Sequence, residues 1–140
     1  MRTTHIEEFD FNMAHAARRL EQVKATFAET AAKHGLGYAI RWKADEVVKA
    51  ETEVDLYDRC SNVLANITSN DLTAEARLAA AKTLLQQWLM QYVSEATSCS
   101  TNPYSNANAT AALAQAKNFM DWDGSRAYLK AVEEVLSLAV

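Results

Sequence analysis

The sequence predicts an all-α fold, a single-domain bundle over residues 1–140 with four to five helices, three long and two short. Three observations predict it. Apolar residues recur at steps of three and four along most of the chain, which is helical spacing. Only three Gly and one Pro interrupt 140 residues, so the elements are long. The composition, 49% hydrophobic and 23% charged, is that of a globular chain with a real core. We expect the first three helices to run mostly up-and-down.

The first helix is predicted to begin at Thr4, whose spacing to Glu7 fits a capping box, and to end at Gly35. A strict heptad seam predicts packing along a second helix. Packing inside the monomer is the favoured use of this seam, and homodimerisation through it is the alternative. Phe11 lies opposite the seam, so either a second surface covers it or the helix begins later than Thr4. The seam comprises Ile6, Phe9, Met13, Ala16, Leu20, Val23 and Phe27.

Residues 36–44 are the ambiguous stretch of the sequence. Tyr38, Ile40 and Trp42 alternate with small or charged residues, as in an edge strand. A lone strand would have no partner elsewhere in this chain. We therefore expect a turn that leads into the next helix, with the strand as the alternative.

Apolar spacing also places the remaining helices. The second long helix is predicted from about Asp45 to Thr68, with Cys60 on its apolar face. The third, from Thr73 to Thr97, has a stripe wide enough to contact two or more neighbours, which predicts a central position. A short helix should follow, from Ser105 or Asn108 through Met120. After a turn over residues 121–125, the last helix should be capped by Asp123 or Ser125 and bury Tyr128, Leu129, Val132, Val135 and Leu136.

Charge and cysteine content exclude several classes of function. The net charge is −4 and no segment is strongly basic, which disfavours nucleic acid as a partner. Cys60 and Cys99 do not form a disulfide framework, and no leader sequence opens the chain. The apolar runs are too short to span a bilayer. These features predict a cytoplasmic protein with no membrane association.

Few residues in the sequence suggest catalysis. Glu51, Asp55 and Asp58 share one helical face at spacings that could hold magnesium, so a magnesium-dependent all-α nucleotide phosphohydrolase is the enzyme alternative. A solvated acidic face is the favoured interpretation. The three histidines, all on the first helix, lack the spacing of metal ligands, so we expect them to be exposed surface residues. Neither cysteine has a visible activating partner. We therefore expect no catalytic residue, no metal and no cofactor.

Two groups of side chains remain as candidates for binding a partner. Aromatic residues outside the predicted core are candidates for a protein interface, although the favoured interpretation is that they cover the ends of the bundle and its core. A basic face on the first helix could meet phosphate or an acidic partner surface, with nucleic acid as a second functional alternative. The favoured interpretation is that these are solvated charges on the outer side of the helix. We predict a non-enzymatic protein-binding module, such as an inhibitor, adaptor, assembly factor or immunity-type protein, a type common among phage and mobile-element accessory products. The candidate residues are Phe11, Tyr38, Trp42, Tyr104 and Trp122, with His15, Arg18 and Arg19 on the basic face.

Overall fold

The computed structural model describes residues 4–67, 73–98, 111–119 and 123–138. These ranges hold three long helices, α1 (Thr4–His34), α2 (Leu36–Asn66) and α3 (Ala74–Ser98), then α4 (111–119) and α5 (Asp123–Leu138). No strand occurs among the described residues. The predicted all-α bundle with three long and two short helices is confirmed.

A single residue, Gly35, joins α1 to α2. Its amide donates to the Ala31 carbonyl at 2.9 Å and its carbonyl accepts from the Ala39 amide at 3.2 Å, so the helical hydrogen bonding of both helices reaches the junction. The φ angle of Gly35 is 95°, a conformation that a residue without Cβ adopts at little cost. Gly35 therefore ends α1 as predicted.

The prediction of a turn at residues 36–44 is wrong, because α2 is helical from Leu36 onward. The strand alternative is wrong for the same reason. Tyr38 and Trp42 are four residues apart, so the alternation that resembles a strand equally satisfies a helical spacing. Helix formation satisfies the backbone polar groups locally, whereas an edge strand would need a neighbour.

Side-chain contacts give the directions of the helices. Asp55 of α2 meets Tyr92 of α3, whereas Ile67 lies beside Ala81, so α3 is antiparallel to α2. Together with the α1–α2 hairpin, this confirms the up-and-down order of the first three helices. α4 runs parallel to α2, because Gln115 contacts Glu53 and Phe119 contacts Tyr57. α5 is antiparallel to α1, with Tyr128 beside Phe9 and Glu134 beside His5.

The hydrophobic core lies where all five helices meet. Phe9, on the predicted seam of α1, is fully buried, with ring centroids 5.4 Å from Tyr57 and 6.2 Å from Tyr128. The seam is thus used inside the monomer. α1 packs most extensively against α2 and then α5, so α3 is not the central helix that its wide stripe predicts. The buried core includes Phe9, Ala16, Leu56, Tyr57, Cys60, Ala81, Leu85, Tyr92, Phe119, Tyr128 and Val132.

A close approach between α4 and α5 shapes the junction of the two short helices. Gly124 lies against the Phe119 ring, and a Cβ at this position would overlap the ring atoms. The prediction of a turn over residues 121–125 is wrong for its second half, since α5 already begins at Asp123. The missing side chain at Gly124 lets the helix start this close to its neighbour.

Beyond the core, α1 and α2 extend as a two-helix arm. We name residues 17–49 the hairpin arm. Ala39 is its single buried residue, and Ala39 is not part of the core cluster. The half-buried seam residues Leu20, Val23 and Phe27 show that the two helices cover each other only partly. The arm therefore presents most of its side chains to solvent.

Candidate partner-binding surface

Aromatic rings line one flank of the hairpin arm. The His34 and Tyr38 ring centroids are 4.8 Å apart, and those of Tyr38 and Trp42 are 6.3 Å apart. Tyr38 and Trp42 are 47% and 60% exposed. Spacing of four residues on α2 aligns them, and the one-residue junction at Gly35 places His34 beside the first ring. Two of the predicted site residues are therefore brought together in an exposed, ordered row.

Apolar side chains are also exposed on the other flank of α2. Leu36 is 61% and Ile40 is 36% exposed. Each is two residues from an aromatic of the first flank, which turns it about 200° around the helix. Both flanks of the arm thus carry exposed apolar groups. Leu36 is not among the site residues predicted from the sequence, although a helical interpretation of residues 36–44 would have paired it with Ile40.

The basic face of α1 is a separate surface. Phe11, His15 and Arg18 follow one another at spacings of four and three residues. All three side chains are exposed, and Phe11 is 65% accessible to solvent. Arg19, next to Arg18, is also exposed. The alternative that α1 begins later than Thr4 is wrong, and no described helix covers the Phe11 ring, so its contact with a partner stays a prediction. Arg18 and His34 are sixteen residues apart, about 24 Å along the helix axis. The predicted partner-binding set is therefore divided between two places. Tyr104 and Trp122 lie outside the described residues.

The acidic residues of α2 take part in contacts between helices. The Tyr92 hydroxyl donates to Asp55 Oδ2 at 2.6 Å, and Arg59 Nε forms an ion pair with the same oxygen at 3.0 Å. Arg59 Nη1 also reaches Gln91 Oε1 at 3.0 Å, and its guanidinium lies 5.9 Å from the centroid of the Trp88 ring. This network links α3 to α2, and both of these contacts with Asp55 are made by side chains of the protein.

A metal site does not assemble from these acids. Within the described ranges, no group of three or more His, Cys, Asp or Glu side chains is placed to hold a metal ion. Glu51 and Asp58 are exposed on either side of the occupied Asp55. The arrangement of the three carboxylates therefore gives the magnesium alternative no geometric support.

Two titratable groups of the core are neutral and enclosed. Burial raises the pKa of the Cys60 thiol well above its usual range. Burial raises the pKa of the Tyr128 phenol as well, and the neighbouring Cys60 adds to that shift. A thiol held in its neutral form is a poor nucleophile. Cys60 therefore acts as a small apolar core residue, as its place on the apolar face of α2 predicts.

The histidines are placed differently from one another. His15 and His34 are exposed, as predicted. The prediction is wrong for His5, which is partly buried and whose Nδ1 has no hydrogen-bond partner. His5 lies in the first turn of α1, where its backbone amide donates to Glu134 of α5.

None of the described helices combines the length and the apolarity needed to cross a bilayer. No protein-family model, curated protein or solved structure matches the chain.

Proposed function

We propose that this protein is a non-enzymatic protein-binding module that captures another protein with the hairpin arm. The single observation that carries the proposal is the exposed pair of rings, Tyr38 and Trp42, aligned on one flank of the arm. A protein with this surface would serve as an inhibitor, an adaptor or an assembly factor.

Aromatic side chains are effective anchors in protein interfaces. Each buries a large apolar area and has only two side-chain torsions to immobilise, so binding costs little conformational entropy. Tyr38 and Trp42 already contact each other and stand on a continuous helix. This ordering before binding lowers the cost of association further.

The competing explanation is that these rings cover the end of the core. The positions of the buried residues argue against it. The core cluster has no member among residues 17–49, and the rings contact each other and His34. Exposed rings of this size contribute little to folding, which leaves binding as the role that we assign to them.

The basic face of α1 is a second contact region under this proposal. Arg18 and Arg19 are exposed and make no ion pair with any described residue, so they are available to acidic groups on a partner. Charges at the edge of an interface mainly accelerate association and set its salt dependence. We therefore assign affinity to Tyr38 and Trp42, and association rate to the two arginines.

An affinity capture from the native host tests the proposal. The bait proteins are the wild type, the Tyr38→Ala/Trp42→Ala double variant and Met90→Ala, and bound proteins are identified by mass spectrometry. Met90 is 64% exposed on α3, so it is a matched control for the loss of an exposed apolar side chain. We expect one partner to be retained by wild type and by Met90→Ala, and to be lost from the double variant. Equal retention by all three proteins would reject the hairpin arm as the binding surface.

A further inference from the structure

A crevice of about 260 Å³ opens between the end of α2 and the start of α3. Its walls are mainly aliphatic, with Val63 and Ile67 on one side and Ala80 and Leu84 on the other. Three polar side chains, Asn62, Asn66 and Arg77, also line it. The crevice is far along α2 from the hairpin arm, so it is independent of the proposed protein-binding surface.

Arg77 is the unusual group in this crevice. Its side chain is partly buried, and its Nε is fully buried without a hydrogen-bond partner. No described carboxylate forms an ion pair with it. Burying a donor of a charged group without an acceptor is unfavourable, and a carboxylate is the acceptor that a guanidinium forks onto best. Arg77 also lies in the first turn of α3, where the positive end of the helix dipole adds to the attraction for an anion.

We propose that this crevice binds a small molecule with one carboxylate on an apolar body. Arg77 pairs with the carboxylate, the aliphatic walls cover the apolar body, and Asn62 offers a further donor at the opening. A cavity of 150 Å³ accepts a benzene ring, so about 260 Å³ suits a body of about eight carbon atoms. Larger drug-sized ligands need more room.

Octanoate is the probe, and its binding to the full chain is followed by the amide shifts of an NMR titration and by the melting temperature. Octan-1-ol is the neutral control of matched length. We expect saturable octanoate shifts centred on Val63, Ala80 and Leu84, with octanol at least tenfold weaker because it cannot form the charge-assisted pair with Arg77.

Two matched pairs of variants locate the site. Arg77→Gln should weaken octanoate binding about tenfold or more, whereas Lys82→Gln, which removes an exposed charge from the same helix, should leave it unchanged. Ala80→Leu, which fills the crevice, should abolish binding, and Ala79→Leu, exposed next to it and outside the crevice, should not.

Several outcomes would overturn the proposal. The first is the absence of saturable shifts at 10 mM octanoate, a concentration on the order of the weakest dissociation constant expected for such a ligand. The others are equal binding of octanol and unchanged octanoate binding in Arg77→Gln. A change of sedimentation coefficient in Ala80→Leu would show that a second copy of the chain occupies the crevice instead, which also rejects it. Circular dichroism of each variant establishes that it is folded before binding is compared.

Discussion

The carboxylate of Glu134, near the end of α5, accepts hydrogen bonds from the backbone amides of His5 at 2.8 Å and Ile6 at 3.1 Å. The first amides of a helix have no partner within the helix, and a negative charge there also meets the positive end of the helix dipole. A residue 129 positions away in sequence thus caps α1. This contact joins the two ends of the chain in the folded bundle.

We expect Glu134→Ala to lower the free energy of unfolding by about 1–2 kcal/mol, as the loss of a helix cap does. Glu133→Ala is the matched control, because Glu133 is exposed on the same helix and its carboxylate makes no described contact with α1. Its effect should stay within about 0.5 kcal/mol. Urea denaturation measures both. Equal effects of the two substitutions would show that Glu134 does not stabilise α1.

Phe9 and Phe11 allow a core position and a surface position of the same helix to be compared. Phe9 is fully buried, whereas Phe11 is 65% exposed. Phe9→Ala should therefore destabilise the protein by about 3–5 kcal/mol through lost burial and the cavity left behind. Phe11→Ala should change stability by less than about 0.5 kcal/mol. Thermal and urea unfolding measure the difference, and a large cost at Phe11 would mean that its ring is covered in solution.

Alanine substitutions at Gly35 and Gly37 test the junction between α1 and α2. A Cβ at either position would meet no atom within 4 Å, so each substitution acts through backbone conformation alone. Gly35→Ala should cost about 1–2 kcal/mol, because its φ of 95° is unfavourable for L-residues. Gly37→Ala should instead stabilise the protein by about 0.5–1 kcal/mol, because Gly37 lies within helical α2. Changes of the same sign in both variants, measured by chemical denaturation, would contradict the one-residue junction.

Alkaline pH should destabilise the protein through Cys60. Burial raises the pKa of this thiol, so the folded state keeps a proton that the unfolded state releases above its pKa of about 8.5. The unfolded state then binds fewer protons, and the free energy of unfolding falls as pH rises, by up to about 1.4 kcal/mol per pH unit. Stability from this source is fully present below about pH 8. Tyr128 adds a second loss at still higher pH, since its phenol pKa is also raised.

The measurement is the free energy of unfolding from pH 7 to pH 10 for wild type and Cys60→Ala. The variant is less stable at every pH because it loses a buried side chain, so the slope is compared rather than the absolute value. A shallower slope in the variant is the expected result. Parallel curves would mean that the Cys60 thiol is accessible to solvent.

Local spacing predicts much of this fold, and its failures have physical causes. The seam of α1 and the stop at Gly35 follow from helical period and backbone chemistry, which act within a few residues. The start of α2 was not predicted, because the spacing of Tyr38 and Trp42 fits both a strand and a helix and the tertiary context decides between them. The cap at Glu134 joins residues far apart in sequence, and no local pattern indicates such a pairing.

On the candidate surface, too, local sequence patterns predict single residues, whereas their relative positions depend on the tertiary fold. Sequence patterns identify Tyr38 and Trp42 as aromatics outside the core, and the structure shows them exposed and side by side. Their separation from Arg18 follows from the length of the hairpin arm, which depends on α2 starting at Leu36. The crevice at Arg77 requires the packing of two helices and has no signature in either helix alone.

Hydrogen–deuterium exchange of the captured complex tests the central claim most directly. Amide exchange is compared between the free protein and its complex with the partner, with peptides covering each helix. We predict that protection on binding is concentrated in residues 36–49, with a smaller effect around Arg18 and Arg19. Protection confined to α3 or α5, with residues 36–49 exchanging as in the free protein, would contradict the account.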